Sequence, residues 1–331
     1  MRHLNLHLCL AALPLAAWPF AIGGCAIVLH EDPCGSPDDT NPPDTDEPDD
    51  TSPPDDTGET GETEPQTVWS AVATGGTFTC GLTSDGEIRC WGASDGGADE
   101  PPTDQTYSAI AAGEDFACAL GDDRHLSCWG DNGDQQTEAP TSMVTSFWLG
   151  GAHACLLNRE GAPTCWGSNS DGQATPPEGV AFAELALGTR HTCGRLEDGS
   201  VQCWGSNRSG EGTPPEGIFS AITAGSSHSC GVLDDGSTVC WGDDADGQSS
   251  PPGGQFTTID AGFKFTCGID GGHLSCWGTN RDGQSDPPQG LDAQTISTSI
   301  TGGHACATWD DGGETRIACW GRNSDGQTDV P

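Results

Sequence analysis

Basic residues are scarce in this chain of 331 residues, where 11 Lys and Arg stand against 50 Asp and Glu for a formal net charge of -39. A phosphate backbone is bound through basic neutralisation, so nucleic acid is not an expected partner. Apolar residues are also few, at 33%, and beyond the N-terminus no run is apolar enough to span a bilayer. Helical periodicity of useful length is missing, while 49 Gly and 23 Pro interrupt the chain throughout. Long helices tolerate neither residue often, which excludes a helical fold. There is no phosphate loop, no Ser/His/Asp order and no paired carboxylate site. Asp244-Ala245-Asp246-Gly247 and Asp171-Gly172 lack the alternating oxygen ligands and terminal Glu of a calcium loop. No catalytic residue, metal or cofactor is therefore expected.

What is present begins with an export signal. Arg2 supplies a small positive charge and residues 8–22 are apolar, but too short and Pro-interrupted for a comfortable membrane span. The stretch ends in Ile22-Gly23-Gly24-Cys25, which resembles the bacterial lipobox. That resemblance implies a lipoprotein signal peptide over residues 1–24, cleaved before Cys25, with diacylglycerol on the Cys25 sulfur; an ordinary secretory signal is the alternative. Each methylene of an attached acyl chain buries about 0.8 kcal/mol, so two or three chains anchor a protein without a spanning helix. Residues 25–66 then read as a lipid-anchored tether. Fourteen acids and no Lys or Arg lie between positions 31 and 65, with Pro and Thr between them. Such a stretch cannot bury enough surface to offset its ordering entropy and is expected to be disordered and extended. The expected location is the bacterial cell envelope, as an outer-membrane or cell-surface lipoprotein touching the membrane only through its lipid.

Beyond position 66 the sequence repeats. Cys-Trp-Gly recurs at Cys90, Cys128, Cys165, Cys203, Cys240, Cys276 and Cys319, at intervals of 36 to 43 residues. Residues 219–252 show the internal order. Phe219, Ala221, Ile222 and Ala224 alternate up to Gly225, His228, Cys230 and Val232 follow, Asp235-Gly236 turns the chain, and Val239-Cys240-Trp241-Gly242 leads to Gly247-Gln248 and Pro251-Pro252. These are short strands separated by turns. The first unit opens on a full strand at Trp69 and the seventh stops at Pro331, the equivalent of Pro252. Solenoids end in atypical caps, whereas a ring needs none. Residues 67–331 are accordingly expected to form an all-β, seven-bladed β-propeller with three or four short antiparallel strands per blade. Closure is expected to rest on packing of the first blade against the seventh, with Trp320 contributing and no strand exchanged.

The motif Ala-x-Gly, His, Asp-Gly, Trp-Gly, Asn, seen at Gly188, His191, Asp198-Gly199, Trp204-Gly205 and Asn207, resembles the repeats of the regulator of chromosome condensation family. The short units are similar to those of the propeller-type β-lactamase inhibitory protein of bacteria. The resemblance covers the whole repeat region and implies the propeller fold; the small-GTPase and chromatin activity of eukaryotic members is not carried over to an exported chain. Departures occur where the Gly-Gln pair becomes Gly97-Ala98, Gln135-Gln136 or Gly210-Glu211, which puts the loop geometry there in question.

Each unit holds two Cys, and hairpin geometry tests their pairing. In the first unit the three-residue turn Ser84-Asp85-Gly86 sets Thr83 against Glu87, and counting back sets Cys80 against Cys90. In the sixth unit the turn shortens to Gly271-Gly272, so Asp270 faces His273 and Cys267 still faces Cys276. Non-hydrogen-bonded pairs bring Cα atoms to about 4.5 Å, within disulfide range. One disulfide per blade is expected: Cys80 with Cys90, Cys118 with Cys128, Cys155 with Cys165, Cys193 with Cys203, Cys230 with Cys240, Cys267 with Cys276, and Cys306 with Cys319. The last pair is thirteen residues apart, and residues 310–315 are expected to form a longer loop projecting from one face. Cys9 leaves with the signal, and Cys34 stays unpaired in the tether. Zinc sites use closer Cys spacing, which excludes them. The position two before the first Cys holds His153, His191, His228 and His304, but Phe78, Phe116 and Phe265 in other units. A position accepting either ring is expected to pack it. The seven Trp of the Cys-Trp-Gly motifs are read as packing between blades rather than as a ligand-binding ring.

The function expected from these features is binding. An extracytoplasmic, monomeric propeller would present variable loops on one face to a protein, peptide or glycan, with Asn132, Asn169, Asn207, Asp243, Asn280 and Asn323 as candidate binding-loop residues. Two other readings are a hydrolase or lyase with a site composed at the propeller axis, and an inhibitor of a penicillin-binding or β-lactamase-like enzyme.

Overall fold

A computed structural model describes residues 67–94 and 96–331. The signal peptide, Cys25, the acidic tether and Cys34 lie outside the described residues. The rest is seven antiparallel sheets, each of three consecutive strands, so every blade has three strands and none is shared across the seam. In blade one the strands are Trp69–Thr74, Phe78–Thr83 and Ile88–Gly92. The middle strand is buried along its whole length because the neighbouring blades cover both its faces, whereas Arg89 of the outer strand is exposed. Glycine in the middle strand makes room within the blade: a Cβ on Gly81 would sit 2.3 Å from the ring of Trp69 in the blade's own first strand.

Each middle strand is pinned to its outer strand by a disulfide. The two Cys face one another in all seven blades with Cα atoms 4.0 Å apart. In blade six Asp270 pairs with His273 and Cys267 with Cys276, so the shorter turn is absorbed by the register. Closing a loop of this length stabilises by roughly 3 kcal/mol in the chain-entropy model, which compensates for the small core of each blade.

The seventh blade differs from expectation. Residues 310–315 form no projecting loop; the ladder between His304–Asp311 and Glu314–Gly321 continues to Asp311 opposite Glu314. Gly312 and Gly313, with φ of 68° and 98°, make the two-residue turn that strand twist favours. The extra residues thus lengthen a hairpin. A second insertion lies at the opposite end of the blade: Ser299 N bonds to His304 O across four residues, where Gly75 N bonds to Phe78 O across two.

Neighbouring blades meet through a complementary pair of positions. The ring two places before each first Cys points at the residue one place before the first Cys of the next blade. His153 Nε2 lies 2.9 Å from Thr192 Oγ1, His191 2.8 Å from Ser229 Oγ, His228 2.8 Å from Thr266 Oγ1, and His304 3.0 Å from Thr79 Oγ1. Where the ring is Phe78, Phe116 or Phe265, the equivalent residue of the next blade is Ala117, Ala154 or Ala305. A hydroxyl meets an imidazole, and a methyl group meets a phenyl ring. The rings pack as the sequence implies, but four of them also bond across the interface. Thr192 Oγ1 donates to Gln173 O at 3.0 Å, so its one proton is used and His153 Nε2 must be the donor. Nδ1 of all four histidines is buried without a hydrogen-bond partner. Burial holds the pKa of His153 and His228 down at about 3, and of His191 and His304 at about 4, so all four rings are neutral at pH 7.

Thr192→Ala strands the His153 donor and is expected to cost about 1–3 kcal/mol. His153→Phe combined with Thr192→Ala recreates the pairing of the other blades and should recover most of that loss in a thermal melt; a double variant less stable than Thr192→Ala contradicts the complementarity. The same variants carry a pH prediction. The native pKa of His153 is depressed, so its contribution is intact above pH 6.5 and is lost as pH falls toward about 3, where the native ring protonates. The double variant, with one fewer such ring, should lose less stability than the wild type between about pH 6.5 and 4. Parallel pH curves would show that His153 titrates alike folded and unfolded.

Candidate functional site

The first strands of the blades surround the axis and leave a cavity of about 20 Å³ between residues such as Ala73, Ala112, Leu149, Leu187 and Ala224. That admits about one water molecule. Asp260 is its charged-type side chain. Oδ1 accepts from Thr223 Oγ1 at 3.1 Å and Oδ2 from Thr298 N at 2.7 Å, and burial raises its pKa to about 7. Asp260 therefore ties blade five to blades six and seven, and Thr74 N, bonded to Ser297 Oγ at 3.0 Å, extends the chain of contacts to blade one. An axial site has no space for a substrate among the described residues.

The loops offer more room. The chain leaves each outer strand at the same end as the turn between inner and middle strands, as Ala93 N bonded to Thr77 O marks in blade one. This loop face is built on the buried side chain of the Gly-Gln motif. Gln136, Gln173, Gln248, Gln284 and Gln327 each accept, through Oε1, the backbone N–H two residues earlier, at 2.8–2.9 Å. Their own carbonyls accept the indole N–H of the following blade: Trp166 from Gln136, Trp204 from Gln173, Trp277 from Gln248, Trp320 from Gln284 and Trp91 from Gln327, at 2.8–3.0 Å. Trp129 and Trp241 donate likewise to Ala98 O and Glu211 O. The tryptophans pack between blades, and the indole hydrogen bond is a second role that the sequence did not disclose. The seam is closed by Trp91 reaching back to Gln327. Trp320 faces blade six instead, because each Trp looks to the preceding blade.

The departures from Gly-Gln keep the loop geometry. Gln135 takes the glycine's place with φ of 65°, in the left-handed region. Glu211 replaces the amide by accepting Ser206 Oγ at 2.7 Å, Arg208 N at 3.1 Å and Ser209 N at 2.6 Å; these bonds lower its pKa against the opposing effect of burial.

The candidate binding-loop residues all lie on this face. Asn132, Asn169, Asn207, Asn280 and Asn323 each accept, through Oδ1, the backbone N–H five residues on. Their Nδ2 groups donate to the next side chain, as from Asn207 to Thr213 Oγ1 at 2.9 Å. They staple their own loops, and the surface offered to a partner is the segment each staple holds. In blade five that place is taken by Asp244, whose Oδ1 accepts Ser249 N at 2.8 Å. Asp243 is one position off and accepts Gln248 Nε2 at 2.7 Å. The loops also carry ion pairs between blades, Arg190 with Asp171 at 3.1 Å and Lys264 with Asp246 at 3.2 Å.

Regulator of chromosome condensation (RCC1) repeats match residues 69–97, 107–136, 182–211 and 219–248, which are blades one, two, four and five. Among solved structures, the ectodomain of the Physcomitrella patens receptor kinase CR4 is similar at 26% identity and a TM-score of 0.65, covering 77% of this chain and 74% of that one. The ectodomain of the Arabidopsis thaliana receptor kinase ACR4 is similar in fold at 23% identity, TM-score 0.64, over 79% of this chain and 98% of that one. Prp20p of Saccharomyces cerevisiae is similar in fold at 16% identity, TM-score 0.60, over 78% of this chain and 84% of that one. No curated protein matches the sequence. The chain is a seven-bladed propeller, four of whose blades match regulator of chromosome condensation repeats.

Proposed function

We propose that this chain is an extracytoplasmic, lipid-anchored binding module that offers its loop face to a protein or peptide partner. The observation that carries the reading is the contrast between the axis and the loop face, although a cleft of about 400 Å³ also lies on the opposite side beside Pro163, Pro176 and Pro177. The axis is closed to about 20 Å³, whereas the loop face holds clefts of about 310 and 360 Å³ on a covalently stapled ring. A rigid frame bearing loops of differing sequence suits recognition, since it keeps the entropic cost of ordering the interface low. Seven disulfides suit an oxidising compartment, and two of the similar structures are receptor-kinase ectodomains. Attachment through Cys25 and the acidic tether would hold the ring away from a bacterial envelope membrane, with the propeller acting as a monomer. The enzyme reading lacks an axial site. The inhibitor reading calls for aromatic residues gathered on one rim, and the large exposed apolar side chains among the described residues, Met143, Ile218 and Phe263, belong to three different blades.

Cys25→Ser should move the protein from the detergent phase to the aqueous phase of a membrane extract; unchanged partitioning and mass would contradict lipidation. For the binding reading, a photo-crosslinking residue placed at the exposed Ala245 on the loop face, and separately at Met143 on the opposite side, is introduced into the full chain on intact cells. A discrete adduct from position 245 and none from 143 is expected. Adducts from 143 alone, or from neither, contradict the assignment of the loop face.

A further inference from the structure

Five basic residues lie on the loop face, all in blades four to seven, namely Arg190, Arg208, Lys264, Arg281 and Arg322. Three of them line one cleft of about 310 Å³ between blades six and seven, beside Phe263, which is 37% exposed. Arg281 and Arg322 are only loosely paired there, with Asp246 at 3.8 Å and Asp325 at 3.9 Å, so each planar guanidinium keeps donors for another carboxylate. Lys264 is held at φ of 60°, a left-handed conformation that costs a non-glycine residue energy and recurs at functional sites. Asp282 also lines this cleft and offsets one of the three cations.

A second cleft of about 360 Å³ adjoins the first and crosses the seam toward blades one and two. Thr301, Gly302 and Arg322 line both. Its far wall carries Glu114 and Asp115, with the Glu114 pKa raised by desolvation and by its acidic neighbour. The shared floor is the turn at residues 300–303 of the seventh blade, two residues longer than its equivalent in blade one. Gly302 seals it, since a Cβ there would lie 2.2 Å from Gly76 O. Thr301 Oγ1 is shielded and has no hydrogen-bond partner among the described residues.

We infer that this trough is a site for a bipolar peptide segment of a protein partner, with an acidic residue next to an apolar one over Arg281, Arg322 and Phe263, and a basic residue at Glu114 and Asp115. The inference rests on the loop-face reading and narrows it to one place. The chemistry selects against other ligands. A polyanion would meet Asp282, Glu114 and Asp115 and the charge of -39, and a neutral glycan would bring no charge to complement either end.

The test uses the full chain and two fluorescent octapeptides of one composition: a bipolar one, with two acids and Phe at one end and two lysines at the other, and a shuffled one that alternates the charges. Fluorescence anisotropy at low salt should show the bipolar peptide binding about tenfold tighter than the shuffled one, with the preference reduced at high salt. Arg281→Ser with Arg322→Ser should abolish the difference, and Glu114→Lys should transfer the preference to an all-acidic octapeptide. Arg281 is 82% and Arg322 48% exposed, so the variants should melt as the wild type does. Equal binding of the two peptides, no binding, or an unaffected double variant overturns the inference. The loop-face reading is decided separately by crosslinking at position 245, so the two can fail independently.

Discussion

The structure depends on one repeated contact, an indole N–H of one blade bonded to a loop carbonyl of the blade before it. It occurs at all seven interfaces, from Trp129 with Ala98 O to Trp91 with Gln327 O. In six of the seven loops the carbonyl is in place because its own side chain is buried and bonded inside the loop, as Gln327 Oε1 is to Asp325 N; in the first loop the buried side chain is the methyl group of Ala98. Thr79 adds a bond from its hydroxyl to the same carbonyl at 2.8 Å, and His304 meets that hydroxyl from the seventh blade. One loop atom thus gathers the aromatic, the hydroxyl and the imidazole of an interface. Net hydrogen bonds of this kind stabilise by only about 1 kcal/mol each, but leaving a buried member unpaired costs more, so each interface tolerates few partial solutions.

Two kinds of restraint divide the work. Disulfides act within blades, joining strands too short to hold together through their own core. Between blades there is no disulfide among the described residues, and order is kept by matching chemistry, His with Thr or Ser and Phe with Ala. The ring can therefore leave its loop sequences free to differ, because their conformation is fixed from within by the Asn and Gln staples. Asp260 is the costly exception at the axis, a carboxyl held at a pKa of about 7 to link three blades.

Much of this was legible in the sequence. The Cys pairing followed from counting hairpin residues, because a strand register has no freedom once its turn is fixed. The blade number followed from the Cys-Trp-Gly period. The hydroxyl partner of each imidazole did not follow, since it lies 38 or 39 residues away in most cases and becomes adjacent only when the ring closes. The signal was present all the same: the Phe units are the ones followed by Ala. Sequence order does not say which neighbour an indole faces, so it cannot tell that Trp320 looks to blade six rather than to the seam. Consecutive acids at Asp243 and Asp244 obscure the alignment of the blade-five loop. The length of the seventh unit is visible in its Cys spacing only at the hairpin, although two of its extra residues lie in the floor of the loop-face trough.

If the ring is held by the same contact at every interface, the seam is no weaker in kind than the rest, and opening it should be felt by the whole domain. Removing residues 323–331 deletes Gln327, strands Trp91 Nε1 and takes from Thr79 Oγ1 its carbonyl partner, while leaving all seven disulfides. Denaturant unfolding of the truncated and intact chains under non-reducing conditions measures the consequence. The account predicts a loss of at least about 2 kcal/mol and a shallower transition as blades one and seven open first. An unchanged midpoint and slope would show that the ring does not depend on its closing contact.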